Sequence, residues 1–283
     1  MGRTTEKRKP IRRARPARRR SRRSTGKPPA LPSGEARSIA SFYDRIAGDY
    51  DAMTNFEHRF LREGQMLRML VVKNNFATAL DAGCGTGFHA LFLARLGVKV
   101  TAVDISAKMV QQVLAHAREM GVHVEAIRQG FAGLTRRLRK KFDAVLCMGN
   151  TLAHLRTADE LRKTLKAFAT LLNPGSFLVL QVLNYDRIVK LGPLPQIVRE
   201  TPVGTFIRTY ETRDDRIRLT IEHRRPGHTR ARRQSLDLRP VYHTELLTLL
   251  EQAGYGEIEL FGSIEMEPFD PAASNDIVIV ARK

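Results

Sequence analysis

The sequence lacks the residues that would mark a secreted, metal-binding or membrane protein. It contains no tryptophan and only two cysteines, Cys84 and Cys147, both in apolar contexts. They provide neither a disulfide framework nor the ligand spacing of a metal site. No apolar run approaches the roughly 20 residues that a membrane-spanning helix needs. We therefore expect a cytoplasmic protein with no metal centre and no membrane segment.

Acidic residues are scarce, and the imbalance is concentrated at one end of the chain. The 283 residues include 48 Lys and Arg against 29 Asp and Glu, a formal net charge of +19. Residues 1–28 hold thirteen Lys or Arg and one acid, Glu6. Because residues 1–34 are also almost free of apolar side chains, we expect a disordered basic tail. It could bind a polyanion such as RNA or DNA weakly and nonspecifically. It could also be a targeting segment, or an idle extension from an early start codon.

One glycine-rich stretch organises the rest of the chain. An apolar run ends at Asp81, three glycines follow at every second position, a helical pattern comes next, and a second apolar run ends at Asp104. The order predicts strand, tight turn, helix and strand, which is the mononucleotide-binding half of a doubly wound α/β sheet. Glycine lets the turn approach a ligand closely. Asp104 lies where a carboxylate can accept two hydrogen bonds from a ribose diol.

The spacing of the glycines distinguishes two classes of cofactor. A G-x-G-x-x-G turn holds a pyrophosphate at a helix N-terminus. Here the turn reads Asp81-Ala-Gly-Cys-Gly-Thr-Gly87, and the acid would repel a pyrophosphate but suits a cationic sulfonium ligand. Followed by Val103-Asp104-Ile-Ser, it resembles the S-adenosylmethionine site of class I methyltransferases. The alternatives are a nicotinamide oxidoreductase and a Rossmann-like domain without methyl chemistry.

The resemblance implies a Rossmann-like, seven-stranded, doubly wound sheet, and the periodicity along the chain fits it. Residues 35–76 predict N-terminal lid helices, and residues 77–186 the core that binds S-adenosylmethionine. The α/β alternation stops over 187–240, where the segments 204–212, 215–224 and 232–239 alternate like antiparallel strands and predict an inserted β-rich cap. Residues 241–283 return to the core. In this fold the final strand, here about 276–281, inserts antiparallel between strands five and six.

The family resemblance also implies a set of cofactor-binding residues. The loop 83–87 would face the methionine end of the cofactor, and Asp104 the ribose. Phe131 would cover the adenine, while the acid that relatives often carry just before it is Gly130 here. An arginine that clamps the ligand's carboxylate in the family corresponds to Arg59. The implied set is Arg59, Asp81, Gly83, Gly85, Gly87, Asp104, Ile105, Met109, Phe131 and Met148.

A second motif bears on the methyl acceptor. Phe142-Asp-Ala-Val-Leu-Cys-Met-Gly-Asn-Thr-Leu-Ala-His-Leu155 resembles the corresponding strand and turn of glycine N-methyltransferases and glycine/sarcosine methyltransferases. In that group the asparagine at Asn150 lies beside the substrate amine. His154 and Tyr43 complete the residues that we expect to carry the chemistry. The resemblance implies N-methylation of a small-molecule amine.

One departure changes the expected acceptor. Glycine-type enzymes carry a carboxylate-binding arginine just before an Asn-Tyr-Asp triplet, and here that position is Leu183. We therefore expect an acceptor that is less anionic or more apolar there, although Arg187 or Arg208 could reach a carboxylate from another direction. The competing hypotheses are an RNA or protein methyltransferase that uses the basic tail, and a protein that holds S-adenosylmethionine without turnover. The sequence leaves monomer or homo-oligomer open.

Overall fold

The computed structural model describes Gly2 and residues 34–191 and 195–283. The described residues from 34 onward belong to one compact unit, Pro32–Lys283. The predicted disordered tail, and its predicted polyanion binding, lie outside the described residues except for Gly2 and Gly34. In the part of the chain that is described, every helix is too short or too polar to cross a membrane.

Three helices come first among the described residues, strands and helices then alternate up to residue 191, and four consecutive strands precede a last helix and two strands. The helices are α1 (Gly34–Ile46), α2 (Tyr50–Thr54), α3 (Phe56–Asn74), α4 (Phe88–Arg95), α5 (Ala107–Glu119), α6 (Leu134–Arg137), α7 (Ala158–Leu171), α8 (Tyr185–Leu191) and α9 (His243–Gln252). The strands are β1 (Thr78–Ala82), β2 (Lys99–Asp104), β3 (Val124–Arg128), β4 (Phe142–Cys147), β5 (Leu172–Leu183), β6 (Ile197–Thr201), β7 (Gly204–Arg213), β8 (Arg216–Arg224), β9 (Arg232–Leu238), β10 (Gly256–Phe261) and β11 (Asp276–Arg282). A short 3₁₀ turn spans Thr151–His154.

The larger sheet confirms the predicted fold class. Its strand order is β10-β11-β5-β4-β1-β2-β3, and the neighbours from β5 to β3 are parallel. The final strand β11 runs antiparallel between β5 and β10, as expected. The chain winds outward in opposite directions from β1 and β4, so a crevice forms where their carboxyl ends diverge.

Helices cover both faces of this sheet, which explains why its central strands are apolar along almost their whole length. On one face α7 contributes the fully buried Leu161, Leu165 and Phe168. On the other face α3 and α4 contribute Leu67 and Leu91. Full burial of each such side chain stabilises the fold by about 1.5–3 kcal/mol. The carboxyl edge of the sheet is therefore a fixed base for a site.

The insertion forms a second, four-stranded antiparallel sheet of order β6-β7-β8-β9. The sequence predicts its last three strands, and Asp214-Asp215 forms the two-residue turn between β7 and β8, with φ of +51° at Asp214. The edge strand β6 is not predicted. Its Ile197 and Val198 are both exposed, so the strand shows no alternation of apolar and polar residues.

Candidate active site

A cavity opens at the carboxyl ends of β1, β2 and β4, where the strand order reverses. Its open volume is about 1270 Å³, including the part open to solvent. The predicted site residues on its wall are Tyr43, Arg59, Gly83, Gly85, Asp104, Ile105, Phe131, Met148 and His154.

The turn after β1 can be built only with a glycine at its first position. Gly83 has a φ of +79°, and a Cβ there would collide with the Thr151 side chain of the turn after β4. The Gly83 N–H donates to the Val103 carbonyl at 2.8 Å. The close approach of the two turns leaves backbone, rather than side chains, facing the cavity.

Asp104 is held at the end of β2 with both of its carboxylate oxygens oriented. Oδ2 accepts the N–H of Gly85 at 2.9 Å, and Oδ1 accepts the N–H of Ser106 at 2.8 Å. Each oxygen has a second lone pair for a ligand. Burial raises the pKa of Asp104 to about 6, although these two hydrogen bonds favour the charged form. At pH 7 the group is mostly a carboxylate, ready to accept hydrogen bonds from a diol.

Arg59 lies on α3 and lines the same cavity. Its Nε and Nη2 donate to the two carboxylate oxygens of Glu63 at 2.6 and 2.9 Å. Its guanidinium carbon lies 4.3 Å from the centroid of the Phe88 ring. Among the described residues, Nη1 has no hydrogen-bond partner. A fixed guanidinium with donors to spare suits a ligand carboxylate.

An apolar slot adjoins Asp104. Ile105 and Phe131 line it, and Phe131 is braced edge-on against Phe168 with ring centroids 5.5 Å apart. The side-chain amide of Gln129 donates to the carbonyls of Gly130 at 2.8 Å and of Ala132 at 2.9 Å, which shapes the loop after β3. Such apolar walls suit a flat aromatic base, and backbone groups of the loop after β3 can hydrogen-bond to its polar edge.

Two polar aromatic groups, Tyr43 and His154, also line the cavity. The Tyr43 hydroxyl and the His154 Nε2 are 2.7 Å apart. Burial lowers the pKa of His154 to about 4, and burial also raises the pKa of Tyr43 well above its usual range. Both groups are therefore neutral at pH 7. The buried Nδ1 of His154 has no hydrogen-bond partner among the described residues.

Four predicted site residues do not line this cavity. Asp81 is 1% exposed, beneath the glycine turn, and its Oδ2 accepts the N–H of Ala90 at 3.1 Å. Gly87 caps α4, where a Cβ would be only 2.9 Å from Val113. Met109 is fully buried in the core. The tight packing of α4 and α5 on the sheet thus places the Asp81 and Met109 side chains inward and leaves no room for a side chain at position 87.

The fourth of these residues, Asn150, connects two strands. Its side-chain nitrogen donates to the Tyr185 hydroxyl at 2.9 Å, and its oxygen accepts the N–H of Leu183 at 3.1 Å. These contacts join the end of β4 to the end of β5. Asn150 therefore supports the wall at Gly149 and Thr151 instead of forming it.

Sequence reasoning missed two residues of the site, Glu63 and His89. Nε2 of His89 lies 3.0 Å from Oε2 of Glu63, and His89 lines the cavity. The available signal was the spacing of Arg59 and Glu63, which places them on one face of a helix.

Comparison with known proteins agrees with this geometry. A family model described as a methyltransferase domain matches residues 79–175. An S-adenosylmethionine-dependent methyltransferase from Clostridium acetobutylicum has the same fold, with a TM-score of 0.72 over 85% of this chain and 98% of that one, at 17% identity. The chain is a class I S-adenosylmethionine-dependent methyltransferase, which confirms the predicted class and cofactor.

Within that class the chain is similar to glycine/sarcosine N-methyltransferases. The enzyme from Aphanothece halophytica is 27% identical over 76% of this chain and 80% of its own length. The enzyme from Halorhodospira halochloris is 31% identical over 53% of this chain and 56% of its own length.

Proposed function

We propose that this enzyme transfers a methyl group from S-adenosylmethionine to the nitrogen of a small-molecule amine. The observation that carries the proposal is the neutral, buried pair of Tyr43 and His154, which lines the same cavity as the glycine turn and Met148. Similarity to glycine/sarcosine N-methyltransferases supports the choice of nitrogen.

We propose the following roles for the cofactor residues. Asp104 accepts hydrogen bonds from the ribose diol, Ile105 and Phe131 enclose the adenine, and Arg59 binds the carboxylate of the methionine moiety. Asp81 lies just beneath the glycine turn, and its negative charge favours a cationic ligand. The division into lid (35–76), core (77–186 and 241–283) and cap (187–240) assigns the cavity walls mainly to lid and core.

The acceptor side suits an uncharged amine. S-adenosylmethionine supplies a methyl group already activated by its sulfonium, so the protein must position the nitrogen and keep its lone pair free. A buried site disfavours a protonated amine. The Tyr43 oxygen can accept an N–H of the amine and so orient its lone pair, and the neutral His154 imidazole holds that hydroxyl in place. With a pKa of about 4, His154 is too weak a base to take the proton of the methylated nitrogen, so that proton leaves to solvent. Asn150 acts indirectly, by fixing the turn that carries Thr151.

The residue at the end of β5 bears on the class of amine. Leu183 is partly buried and offers no cation, and the Arg187 Nη1 donates to the Asn275 side chain at 3.1 Å. We infer an acceptor without a carboxylate at that point. The free, buried thiols of Cys84 and Cys147 support a reducing compartment such as the cytoplasm.

The test is methyl transfer from methyl-labelled S-adenosylmethionine to separate pools of amines, hydroxyl compounds, RNA and protein. We expect label on the nitrogen of a small amine. Label on RNA or protein that disappears in a variant lacking residues 1–34, with steep salt dependence, would overturn the proposal in favour of a macromolecular substrate. Tight cofactor binding with no labelled product in any pool would instead favour a binding protein.

A further inference from the structure

Glu63 is a buried acid to which the reaction itself assigns no task. It lies on α3 with 2% of its surface exposed, and its carboxylate bridges Arg59 and the Nε2 of His89, 3.0 Å from it. Arg62, which is half-exposed, approaches the same carboxylate at 3.5 Å. Burying a carboxylate is costly unless it is paired and hydrogen-bonded. The presence of a buried acid at this position is therefore best explained by the two side chains that it binds, Arg59 and His89.

The carboxylate is ionised across the physiological range. Burial alone would raise the pKa of Glu63, but the hydrogen bonds from His89 and Arg59 outweigh it and hold the pKa well below the usual range. The ion pair with Arg59 is thus permanent at neutral pH.

These contacts leave the Arg59 guanidinium one orientation. Glu63 occupies Nε and one side of Nη2 with two parallel bonds. The Phe88 ring lies against the guanidinium, 4.3 Å from its carbon, and His89 approaches Nη2 at 3.5 Å. A bidentate pair fixes the plane as well as the position of the group. Among the described residues only the Nη1 side is left for a ligand.

We infer that Glu63 and His89 are positioning residues that hold Arg59 for the cofactor's carboxylate. The inference rests on the role proposed for Arg59. It predicts that changes at Glu63 affect ligands that carry the carboxylate and spare ligands that lack it. A purely structural role would affect both kinds of ligand equally.

The experiment compares S-adenosylhomocysteine with 5′-methylthioadenosine, which keeps the adenosine and the thioether but has no amino-acid part. Dissociation constants are measured by calorimetry. Glu63→Asp retains the charge but is one methylene shorter, so it cannot keep both bonds to Arg59. We expect it to weaken S-adenosylhomocysteine about tenfold and to change methylthioadenosine less than about twofold.

The matched control is Glu222→Asp. Glu222 is another buried acid, 7% exposed, that pairs with Arg224 and Arg233 in the cap. We expect it to leave the affinity for both ligands unchanged. A second test uses His89, where His89→Leu should weaken S-adenosylhomocysteine selectively and His89→Gln, which can still donate to Glu63, should restore part of the loss.

The outcomes separate the inference from the role on which it rests. If Arg59→Gln leaves S-adenosylhomocysteine binding intact, the carboxylate does not bind there and the proposed role of Arg59 fails. If Arg59→Gln weakens S-adenosylhomocysteine binding but Glu63→Asp does not, the proposed role of Arg59 is supported and the positioning role of Glu63 is overturned. Equal weakening of both ligands by Glu63→Asp would also overturn it.

Discussion

Replacing Asp104 by Asn tests the ribose contact with the smallest change of shape. The carboxylate accepts one backbone N–H on each oxygen, from Gly85 at 2.9 Å and from Ser106 at 2.8 Å. An Asn side chain keeps one acceptor oxygen and turns an NH₂ group towards one of these N–H donors. The diol then loses one charged acceptor and keeps at best a neutral one.

The magnitude follows from the number of bonds affected. A hydrogen bond to a charged group contributes about 1.5–3 kcal/mol, so losing one and weakening another costs about 3 kcal/mol. At about 1.4 kcal/mol per tenfold, the dissociation constant of S-adenosylhomocysteine should rise on the order of a hundredfold. The free energy of unfolding of the ligand-free protein should fall by less than this loss in binding free energy. The shift in the pKa of Asp104 from 3.8 to about 6 corresponds to a burial cost of roughly 3 kcal/mol that Asn relieves.

Isothermal titration calorimetry and a thermal melt of the ligand-free protein measure the two effects. Asp143→Asn is the control, because Asp143 accepts the N–H groups of Ala77 and Thr78 at 3.1 and 2.9 Å from the opposite edge of the sheet. It should lower the melting temperature and leave affinity unchanged. A change of less than about threefold in Asp104→Asn would refute the ribose assignment.

Three further predictions concern the same cavity. In the wild-type protein, the affinity for S-adenosylhomocysteine should fall as the pH falls through about 6, because Asp104 becomes protonated. The decrease in affinity should approach tenfold per pH unit. The free energy of unfolding of the ligand-free protein should rise over the same interval, since protonation removes a buried charge. Tyr43→Phe should lower kcat by at least about tenfold with little effect on the KM of the cofactor, because the contact that orients the amine is lost, and His154→Gln should lower it less, in steady-state assays with the acceptor identified. Gly83→Ala should abolish cofactor binding, measured by calorimetry, because the added Cβ collides with the Thr151 side chain. The control is Gly97→Ala, at a φ of +86° with open space around it. Thermal melts should show that it lowers stability by only about 1–2 kcal/mol, the cost of backbone strain.

Each of these predictions has an outcome that contradicts it. Affinity that stays constant from pH 5 to 8 would show that Asp104 does not carry the ribose bond. An unchanged kcat in Tyr43→Phe would remove Tyr43 from the acceptor site. Normal cofactor binding by Gly83→Ala would mean that the turn tolerates a side chain and that its geometry does not require glycine.

The larger sheet and the glycine turn beside the cavity could be predicted because their signals are local. The turn, the following helix and Asp104 lie within one short segment whose periodicity and glycine spacing are readable directly. The final strand follows from its continuous apolar run, and three strands of the second sheet follow from apolar alternation. The edge strand β6 was missed because it is paired on one side and its apolar side chains are exposed, so alternation is absent.

The directions of the side chains and the contacts between residues far apart in the chain could not be predicted from the sequence. The position of a residue at the end of a strand does not determine whether its side chain faces the cavity or the packed interior. In the sequence, Asp81 and Asn150 therefore cannot be distinguished from residues that line the cavity. Met109 likewise follows β2 but points into the core. The bridge from Glu63 to His89 joins α3 to α4 through side-chain contacts alone, and no periodicity reports such a contact.

The most direct test of where the cofactor binds is a crystal structure of the protein with S-adenosylhomocysteine. We predict one binding mode in this structure: both ribose hydroxyls lie within hydrogen-bond distance of the Asp104 carboxylate, the adenine lies between Ile105 and Phe131, and the ligand's carboxylate binds Arg59. A ligand bound in this cavity with its ribose away from Asp104, or bound outside the cavity altogether, would contradict it.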